Sequence, residues 1–561
     1  MQTVGTDKLV QGNLLLGSEM DRLLLLRQEN ARYLLTAKHR RYLGRVLMEG
    51  LDVFKKHENS ERDVVHHAVG GELSSCISQH DPEGLLHDGI RVSADVETYL
   101  LSGIYWTLAA IFLLQGVDEH VNRPVCLAEL PLHSGEKEQL LQILKCCKRT
   151  QLCEQHSLNL QGHPPSGCWT GFAPHPAAFY DATVLSTLSA LQILVLVGDL
   201  ESEMLSPGSI AEIRRFVQLL QDPETGAFAN RISVAGTAEV DVRFAMCSVT
   251  SLALLEELNA RASCVRQPLL SSGAVAAEVP TSVSSPLPGL HSSRNCADTR
   301  RGASSVWDAP ISGAVSSLID AEKLAAWIFS CQNPDGGFGC APGCESHAGT
   351  TFCAVACLQL LGLLGEISLS AKGALQRWLT GRQVRGSGMN GRPGKDPDSC
   401  YTWWVLATAS ILGVDIHSMF DTAALEKFVL TCQNEEGGGI SRAPGKPQRE
   451  PSPSATGLLR GTGQAIVESE HEEDSQAYKP QTAGCLALLG KGRLEAHSEC
   501  KRVPDPFHTF FGLAGLSVLL HADELQYTRE RLANDAPVRR AVKPVNPLFG
   551  LPADMVHSSV L

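Results

Sequence analysis

Charged and nucleophilic side chains are concentrated in one short stretch of the sequence, GRPGKDPDSCYTWW. Its reactive members are Arg392, Lys395, Asp398, Cys400 and Tyr401. Asp398 and Ser399 are residue types that cap helices, so we expect Cys400 in the first turn of the apolar helix that follows, where the macrodipole stabilises a thiolate. A thiolate and a carboxylate two positions apart can bind one metal ion. The stretch therefore predicts a metal site at the start of a helix.

A third metal ligand is available downstream, in the segment DPFHTFFGLAGLS, which places His508 at the start of another apolar helix. Asp398, Cys400 and His508 would give Zn²⁺ three protein ligands of mixed type and leave a fourth position open, the pattern of a catalytic site. Taken alone, each part has a plainer interpretation. An Asp-x-Cys at a helix start is usually a cap followed by a core cysteine, and a single histidine is usually structural.

A second cluster, Cys340-x3-Cys344-x2-His347, has spacing that would permit another zinc site. We expect the equivalent of Cys340 in two related segments to be Gly391 and Ser441. That comparison favours a structural turn at this position and leaves His347 for another role.

The elements that must position these residues form an internal repeat. Similar phrases, each ending a helical pattern with a glutamine and a glycine-rich turn, surround Gln332, Gln383 and Gln433, and a looser copy surrounds Gln221. Each copy joins an amphipathic segment to a more uniformly apolar one, which predicts a helix–turn–helix unit of about 50 residues. The fold class is therefore all-α, and we expect the repeats to close into a ring of paired helices, an α–α barrel.

Composition divides the rest of the chain. Residues 263–312 and 442–500 are rich in Ser, Pro and Gly and are predicted to be disordered insertions. Residues 1–90 are predicted to be a helical and polar N-terminal extension, either the start of the barrel or a partner contact, and residues 91–561 the barrel itself.

Charge and hydropathy exclude several classes of protein. With 61 acidic and 48 basic residues, the formal net charge of -13 predicts no binding to nucleic acid. The N-terminal residues carry charges every few positions, unlike a signal peptide, so we expect a cytoplasmic protein whose cysteines are mostly small buried hydrophobes. The most apolar run, Val184 to Val197, is shorter than a membrane-spanning helix and contains polar side chains, so no membrane span is expected.

The combination of motifs resembles the β subunits of protein prenyltransferases, closest to the type II enzyme that geranylgeranylates Rab GTPases. The resemblance rests on NGRPGKDPDSCYTWWVLA, DGGFGCAPGCESHAG, AEVDVRFAMCSVTSLALL, LLSGIYWTLA and DPFHTFFGLAGLS, which occur in the family's order over roughly residues 95–550. It implies that Asp398, Cys400 and His508 bind zinc. It also implies four residues that contact the diphosphate of the prenyl donor: His347, Arg392, Lys395 and Tyr401. Arginine and lysine neutralise phosphate oxygens, and neutral donors stabilise charge on the leaving group.

The same resemblance implies a lipid tunnel and partners. The lipid contacts would be Ser102, Trp106, Leu188, Arg243, Trp404 and Phe507. In farnesyltransferases a bulky side chain at the tunnel floor restricts the lipid; here the matching positions are Ser102 and Leu188, which favours geranylgeranyl diphosphate. The family works with a helical α subunit, and the Rab type also needs an escort protein that presents the Rab substrate.

Three rival functions remain. A type I geranylgeranyltransferase or farnesyltransferase β subunit would act on proteins that end in a CaaX box. A terpenoid cyclase shares the Gln/Gly-rich repeat but needs an Asp-x-Asp-Asp type proton donor, which the sequence lacks. The third rival is a non-catalytic helical scaffold, against which the occupation of every expected zinc and diphosphate position argues.

Overall fold

The structure is a computed structural model that describes nine stretches of the chain. They are residues 34–51, 99–114, 134–152, 167–198, 203–232, 239–266, 310–444, 503–522 and 542–556. Within these stretches, no helix is long and apolar enough to cross a membrane.

Six helices bury most of their described residues, as the more apolar segment of each repeat predicts. They are α2 (Leu100–Leu113), α4 (Val184–Val197), α6 (Val242–Arg266), α9 (Ala348–Leu360), α11 (Ser399–Ile411) and α14 (Pro506–His521). A helix without a polar face must be covered on all sides, so these helices lie inside the fold. Most of their residues are buried in one continuous core.

The amphipathic helices lie outside this layer and bury one stripe each. They are α1 (residues 36–51), α3 (Ser134–Cys147), α5 (Pro207–Leu219), α8 (Ala321–Ser330), α10 (Leu369–Thr380) and α13 (Thr422–Thr431). In α1, for example, Leu43, Leu47 and Leu51 repeat every four residues and are buried in the common core. The remaining short helices are α7 (Pro310–Ser316) and α12 (Ile416–Met419).

The inner helices form a closed ring. Each packs against the next in the order α2, α4, α6, α9, α11 and α14, and α14 packs back against α2. The predicted all-α fold and the predicted closure into an α–α barrel are therefore confirmed.

The repeated glutamine joins one repeat to the next. The side chains of Gln221 and Gln383 each accept a hydrogen bond from the backbone N–H of the residue before the next outer helix, Asp320 and Asp421 respectively, both at 2.9 Å. Gln433 does the same with Leu35, also at 2.9 Å, just before α1. The described part of the N-terminal segment thus takes the place of the outer helix that follows α13.

The repeat between α3 and α4 lacks a glycine-rich turn and contains a hairpin. Strand β1 (Lys148–Leu152) pairs antiparallel with β2 (Cys168–Phe172), with Lys148 opposite Phe172. The Arg149 guanidinium donates hydrogen bonds to several backbone carbonyls after the hairpin, including those of Pro176 and Ala177 at 2.9 and 2.8 Å. A second short hairpin, β3 (Val545–Asn546) with β4 (Leu551–Pro552), packs against α2 and α14.

Most of the two predicted insertions lies outside the described residues. Residues 263–266 continue α6, residues 310–312 begin α7, and residues 442–444 complete the turn after α13. The predicted domain limits, 1–90 and 91–561, stay predictions. Of the first segment, only residues 34–51 are described.

Candidate active site

Asp398, Cys400 and His508 come together between two neighbouring inner helices. Asp398 is the N-cap of α11 and accepts a hydrogen bond from the backbone N–H of Cys400 at 3.0 Å, so the predicted helix start is confirmed. His508 lies in the first turn of α14, which packs against α11. One donor atom from each residue lies within 4.8 Å of the others, and no other such group of three or more occurs in the described residues.

This group fits a zinc ion in its chemistry. A carboxylate, a thiol and an imidazole are the usual zinc ligands in proteins, and three of them leave one position for a substrate. The Asp398 and Cys400 side chains are almost fully buried, whereas that of His508 is 17% exposed. The side of the group that carries His508 therefore opens to solvent. The assignment of these residues as metal ligands stays a prediction.

Asp505 fixes the orientation of His508. One carboxylate oxygen accepts a hydrogen bond from the backbone N–H of His508 at 2.9 Å, and the other lies 2.6 Å from Nδ1. With Nδ1 engaged, Nε2 is the nitrogen that faces Asp398, 3.4 Å from its Oδ1. A carboxylate behind a histidine ligand commonly fixes its tautomer and direction. No role was predicted for Asp505 from the sequence, although an aspartate three positions before a histidine at a helix start was a usable signal.

Arg442 is a second residue that sequence analysis missed. Its Nε lies 2.7 Å from Oδ2 of Asp398, and its side chain is 41% exposed. Asp398 thus has one oxygen beside His508 and the other beside a guanidinium. The arginine gives the buried carboxylate a permanent positive partner at the edge of the site.

The expected equivalence of Cys340, Gly391 and Ser441 is wrong at its last member. The carbonyls of Cys340 and Gly391 accept hydrogen bonds from the first residues of α6 and α9, at 2.9 and 2.8 Å. The carbonyl that accepts from the first residue of α11, at 2.9 Å, belongs to Arg442. The turn after Gln433 is one residue longer than those after Gln332 and Gln383, as the bridges Gln433–Ile440, Gln332–Phe338 and Gln383–Met389 indicate. Because of this extra residue, Arg442 and not Ser441 occupies the position equivalent to Cys340 and Gly391.

Without a metal, the pKa values of all three side chains in this group are shifted from their usual ranges. Burial would raise the pKa of Asp398, but His508 and Arg442 hold it below its usual range. Burial would lower the pKa of His508, but Asp505 and Asp398 hold it well above its usual range. Burial, with the Asp398 charge, raises the pKa of Cys400 to about 12. The expected thiolate at Cys400 stays a prediction, because in the metal-free group desolvation and the Asp398 carboxylate favour the thiol.

His347 and Tyr401 form a pair of neutral donors beside this group. The His347 side chain caps α9, since its Nδ1 accepts a hydrogen bond from the backbone N–H of Gly349 at 3.1 Å. Its Nε2 lies 3.1 Å from the Tyr401 hydroxyl. Burial, reinforced by Arg392 and Arg243, lowers the pKa of His347 to about 4. The imidazole is therefore neutral at physiological pH and carries its proton on Nε2.

Three basic residues predicted for the site are Arg392, Lys395 and Arg243, and the two arginines form ion pairs within the protein. Arg392 forms an ion pair with Glu345, and the two side chains are 41% and 61% exposed. Lys395 is exposed on the same turn, whose backbone joins Lys395 to Arg392 through a hydrogen bond at 3.4 Å. Arg243 lies 2.6 Å from the buried Asp241 carboxylate. Both Arg392 and Arg243 are close enough to lower the pKa of His347, so they belong to the same electrostatic environment.

Cys340 and Cys344 do not form a second metal group with His347. Burial, with a hydrogen bond to Cys344, raises the pKa of Cys340 to about 12. The imidazole of His347 is engaged with Gly349 and Tyr401 instead. The geometry of the described residues thus favours the structural interpretation of this turn.

An aromatic cluster adjoins the metal group. Phe507 lies beside the His508 ring, with centroids 5.1 Å apart, and beside Trp106 at the same distance. Phe511 connects Phe507 at 4.6 Å with Trp404 at 4.5 Å. The predicted lipid contacts Trp106, Trp404 and Phe507 are therefore brought together, in edge-to-face and tilted contacts typical of aromatic clusters.

The two residues predicted at the tunnel floor lie on adjacent inner helices. The Ser102 hydroxyl, one turn from Trp106 on α2, lies 3.0 Å from that of Ser189 on α4. Leu188 is the residue before Ser189 and is only 7% exposed. The neighbour across from Ser102 is thus Ser189, which sequence analysis did not single out. Two small side chains at this crossing leave more space than one bulky one would.

Two other aromatic residues on the inner helices belong to the packed core. Trp403 is 1% exposed and Phe244 is 4% exposed. The partly exposed aromatic residues on the inner helices, Trp106, Trp404 and Phe507, belong to the cluster that adjoins His508. The arrangement can bind a metal, an anionic group and an apolar chain side by side.

Comparison with known proteins places the chain in a family. The sequence of residues 90–460 and 491–551 matches the family described as the prenyltransferase alpha-alpha toroid domain. The chain belongs to this family.

Individual relatives are geranylgeranyl transferase β subunits. The chain is 27% identical over 349 residues to the Saccharomyces cerevisiae geranylgeranyl transferase type-2 subunit beta. This alignment covers 61% of this chain and 75% of that protein. It is 39% identical over 138 residues to the Arabidopsis thaliana type-1 subunit beta, covering 23% of this chain and only 36% of that protein. The fold also resembles that of Candida albicans protein geranylgeranyltransferase-I complexed with GGPP, with a TM-score of 0.51, 17% identity, and coverage of 93% of this chain and 97% of that one.

Proposed function

We propose that this chain is the catalytic β subunit of a zinc-dependent protein geranylgeranyltransferase of the Rab type. It would transfer a geranylgeranyl group from geranylgeranyl diphosphate to C-terminal cysteine thiols of a Rab GTPase. The observation that carries the proposal is that Asp398, Cys400 and His508 come together, with Tyr401, the partner of His347, directly after Cys400 in the chain and an aromatic cluster beside His508. Likeness to type-2 β subunits over more than half of the chain supports the Rab type.

The proposed metal site suits a thiol substrate. Asp398, Cys400 and His508 would hold Zn²⁺, which when bound supplies a Lewis acid that stabilises a substrate thiolate at neutral pH. The ligands Asp⁻, Cys⁻ and neutral His would bring the site close to zero net charge, so an added thiolate stays nucleophilic. Asp505 keeps Nδ1 of His508 occupied and directs Nε2 toward the site.

The residues around His347 suit the leaving group. In the proposed reaction, a bond forms between the substrate sulfur and the first carbon of the allylic diphosphate, and the bond from that carbon to oxygen breaks. The negative charge moves onto diphosphate. His347 Nε2–H and the Tyr401 hydroxyl can donate to its oxygens, and Arg392 and Lys395 can neutralise them. To do so, Arg392 must exchange its exposed partner, Glu345, for the substrate.

The lipid would lie along the aromatic cluster toward Ser102. Trp106, Trp404 and Phe507 provide apolar surface beside the proposed zinc ligand His508. The small side chains of Ser102 and Ser189 favour the longer, 20-carbon lipid over the 15-carbon one. Burying five further carbons contributes roughly 4 kcal/mol at about 0.8 kcal/mol per methylene.

The alternative function is that of a type I geranylgeranyltransferase β subunit. It is favoured by the 39% identity to a type-1 relative, although over 138 residues only. The two enzymes differ in their protein substrate, since Rab proteins end in paired cysteines and type I substrates end in a CaaX box.

A substrate matrix tests the proposal. The chain, co-expressed with a prenyltransferase α subunit, is offered geranylgeranyl or farnesyl diphosphate together with either a Rab–escort protein complex or a CaaX protein. We expect transfer of the 20-carbon lipid to the Rab complex. Transfer of the 20-carbon lipid to the CaaX protein alone would establish the type I function, and transfer of the 15-carbon lipid a farnesyltransferase. Absence of transfer in all four reactions would support the scaffold.

A further inference from the structure

Helix α1 contacts the backbone that leads into the proposed zinc ligand His508. The Tyr42 hydroxyl donates a hydrogen bond to the carbonyl of Pro504 at 3.1 Å. Burial raises the pKa of Tyr42, and the carboxylates of Asp505 and Glu49 raise it further. The hydroxyl therefore stays protonated and acts as a donor over the whole range in which the protein would work.

The residue after Pro504 is the one that orients His508. Asp505 holds the histidine at two points, the backbone N–H at 2.9 Å and Nδ1 at 2.6 Å. Any rotation of the peptide between Pro504 and Asp505 would move this carboxylate. The direction in which His508 presents Nε2 thus depends on how firmly the Pro504 carbonyl is held.

Helix α1 is a rigid anchor for this contact. Its His39 is fully buried, lies 2.8 Å from the Gln433 side-chain oxygen through Nε2, and accepts a hydrogen bond from the N–H of Gly439 at 2.9 Å through Nδ1. A Cβ atom at Gly439 would lie 2.7 Å from Pro504 and 2.9 Å from the Tyr42 ring. The helix, the turn after α13 and the segment before α14 are therefore packed without space between them.

We propose that Tyr42 is a positioning residue for the metal site, which acts on His508 through Pro504 and Asp505. This inference rests on the proposed function, because it concerns the zinc ion which that function requires. Tyr42 contributes no ligand and no catalytic group. Its hydroxyl holds the carbonyl of Pro504, the residue directly before Asp505, and so restricts the segment that directs His508.

The test compares two variants that each remove one hydroxyl group. Tyr42→Phe removes the bond to Pro504, whereas Tyr105→Phe removes a similar bond, at 2.8 Å, from a buried tyrosine to the carbonyl of Gly550. Each variant loses one hydrogen bond and keeps the aromatic ring. Zinc affinity is measured on the co-expressed complex by competition with a chelator, and Co²⁺ absorption spectra report the ligand geometry.

We expect Tyr42→Phe to weaken zinc binding by about three- to tenfold, less than the roughly 10- to 100-fold typical of groups that contact a ligand directly. Its Co²⁺ spectrum should change, while Tyr105→Phe keeps the wild-type affinity and spectrum. Equal affinities for Tyr42→Phe and Tyr105→Phe would overturn the inference.

A third variant separates this inference from the proposed function. Asp505→Asn weakens the bond to His508 directly and should lower zinc affinity by about 10- to 100-fold. If Asp505→Asn does so and Tyr42→Phe does not, Tyr42 has no positioning role but the zinc site stands. If the wild-type complex binds no zinc, the proposed function itself fails.

Discussion

Acid should detach helix α1 from the ring, because the helix is held by a histidine that must stay neutral. Burial lowers the pKa of His39 from 6.5 to about 4, although its hydrogen bond to Gln433 works in the opposite direction. In the unfolded chain the histidine is protonated near its ordinary pKa, so the unfolded state binds more protons between these two values. The stability that His39 contributes is therefore fully present above about pH 6.5 and is lost as the pH falls toward 4.

The size of this effect follows from the shift. At about 1.36 kcal/mol per pKa unit, lowering the pH from about 7.5 to about 5 should cost roughly 2 kcal/mol through His39 alone. The assay is the free energy of unfolding in urea at several pH values, for the wild type and for His39→Asn, which keeps a hydrogen-bonding side chain but does not titrate. All other titrating groups are common to both proteins.

We expect the wild type to lose about 2 kcal/mol more than His39→Asn over this pH range. Hydrogen exchange should show that the amides of α1 lose protection in the wild type at the lower pH. Equal pH dependence of the two proteins would refute the reasoning, because it would mean that His39 has the same proton affinity in the folded and unfolded states.

Three further predictions concern the turn, the lipid and the leaving group. Gly438→Ala should destabilise the protein by more than about 1 kcal/mol, because Gly438 has a φ of 79° and a Cβ there would lie 2.2 Å from the Lys38 carbonyl oxygen. Gly437→Ala, whose Cβ would meet no atom nearer than 3.5 Å, should be nearly neutral in the same thermal unfolding assay. Ser102→Trp should shift the preferred donor from the 20-carbon to the 15-carbon diphosphate by up to roughly 4 kcal/mol in relative kcat/KM; an unchanged preference would exclude this position from the tunnel floor. His347→Ala should lower the rate of a single turnover by about 10² to 10³, and a loss below tenfold would argue against contact with the leaving group.

The fold could be predicted because its signals are local and repeated. The phrases around Gln332, Gln383 and Gln433 give the helix–turn–helix unit, and uniformly apolar segments identify the inner helices. Closure of the ring could only be a hypothesis, since it depends on contacts between distant parts of the chain, such as that between Gln433 and Leu35, 398 residues apart. The hairpin after α3 carries no trace of the repeat phrase and needed the structure.

Residues of the site were harder to predict where their positions depended on the length of a turn or on contacts between distant parts of the chain. Asp398, Cys400 and His508 have side chains whose types alone suggest a metal, and the structure brings them together. Arg442 was missed because one additional residue in its turn hides its equivalence to Gly391. Tyr42 could not be found from the sequence at all, since its partner, Pro504, is 462 residues away.

The proton distribution in the site also had to come from the structure. The helix start around Asp398 suggests an easily ionised thiol at Cys400, and the N-cap was correctly predicted. Burial depends on the packing of α11 against α14, which no local pattern contains. This packing raises the pKa of Cys400 to about 12.

Metal content, measured together with prenyl transfer, tests the central proposal most directly. The variants are Cys400→Ala and, as a matched control, Cys432→Ala, since both cysteines are 1% exposed and only the first lies in the proposed metal group. In complexes with the α subunit, we predict about one zinc ion per chain and geranylgeranyl transfer to a Rab–escort complex for the wild type and Cys432→Ala, and the loss of both for Cys400→Ala. Undiminished zinc and transfer in Cys400→Ala would contradict the account.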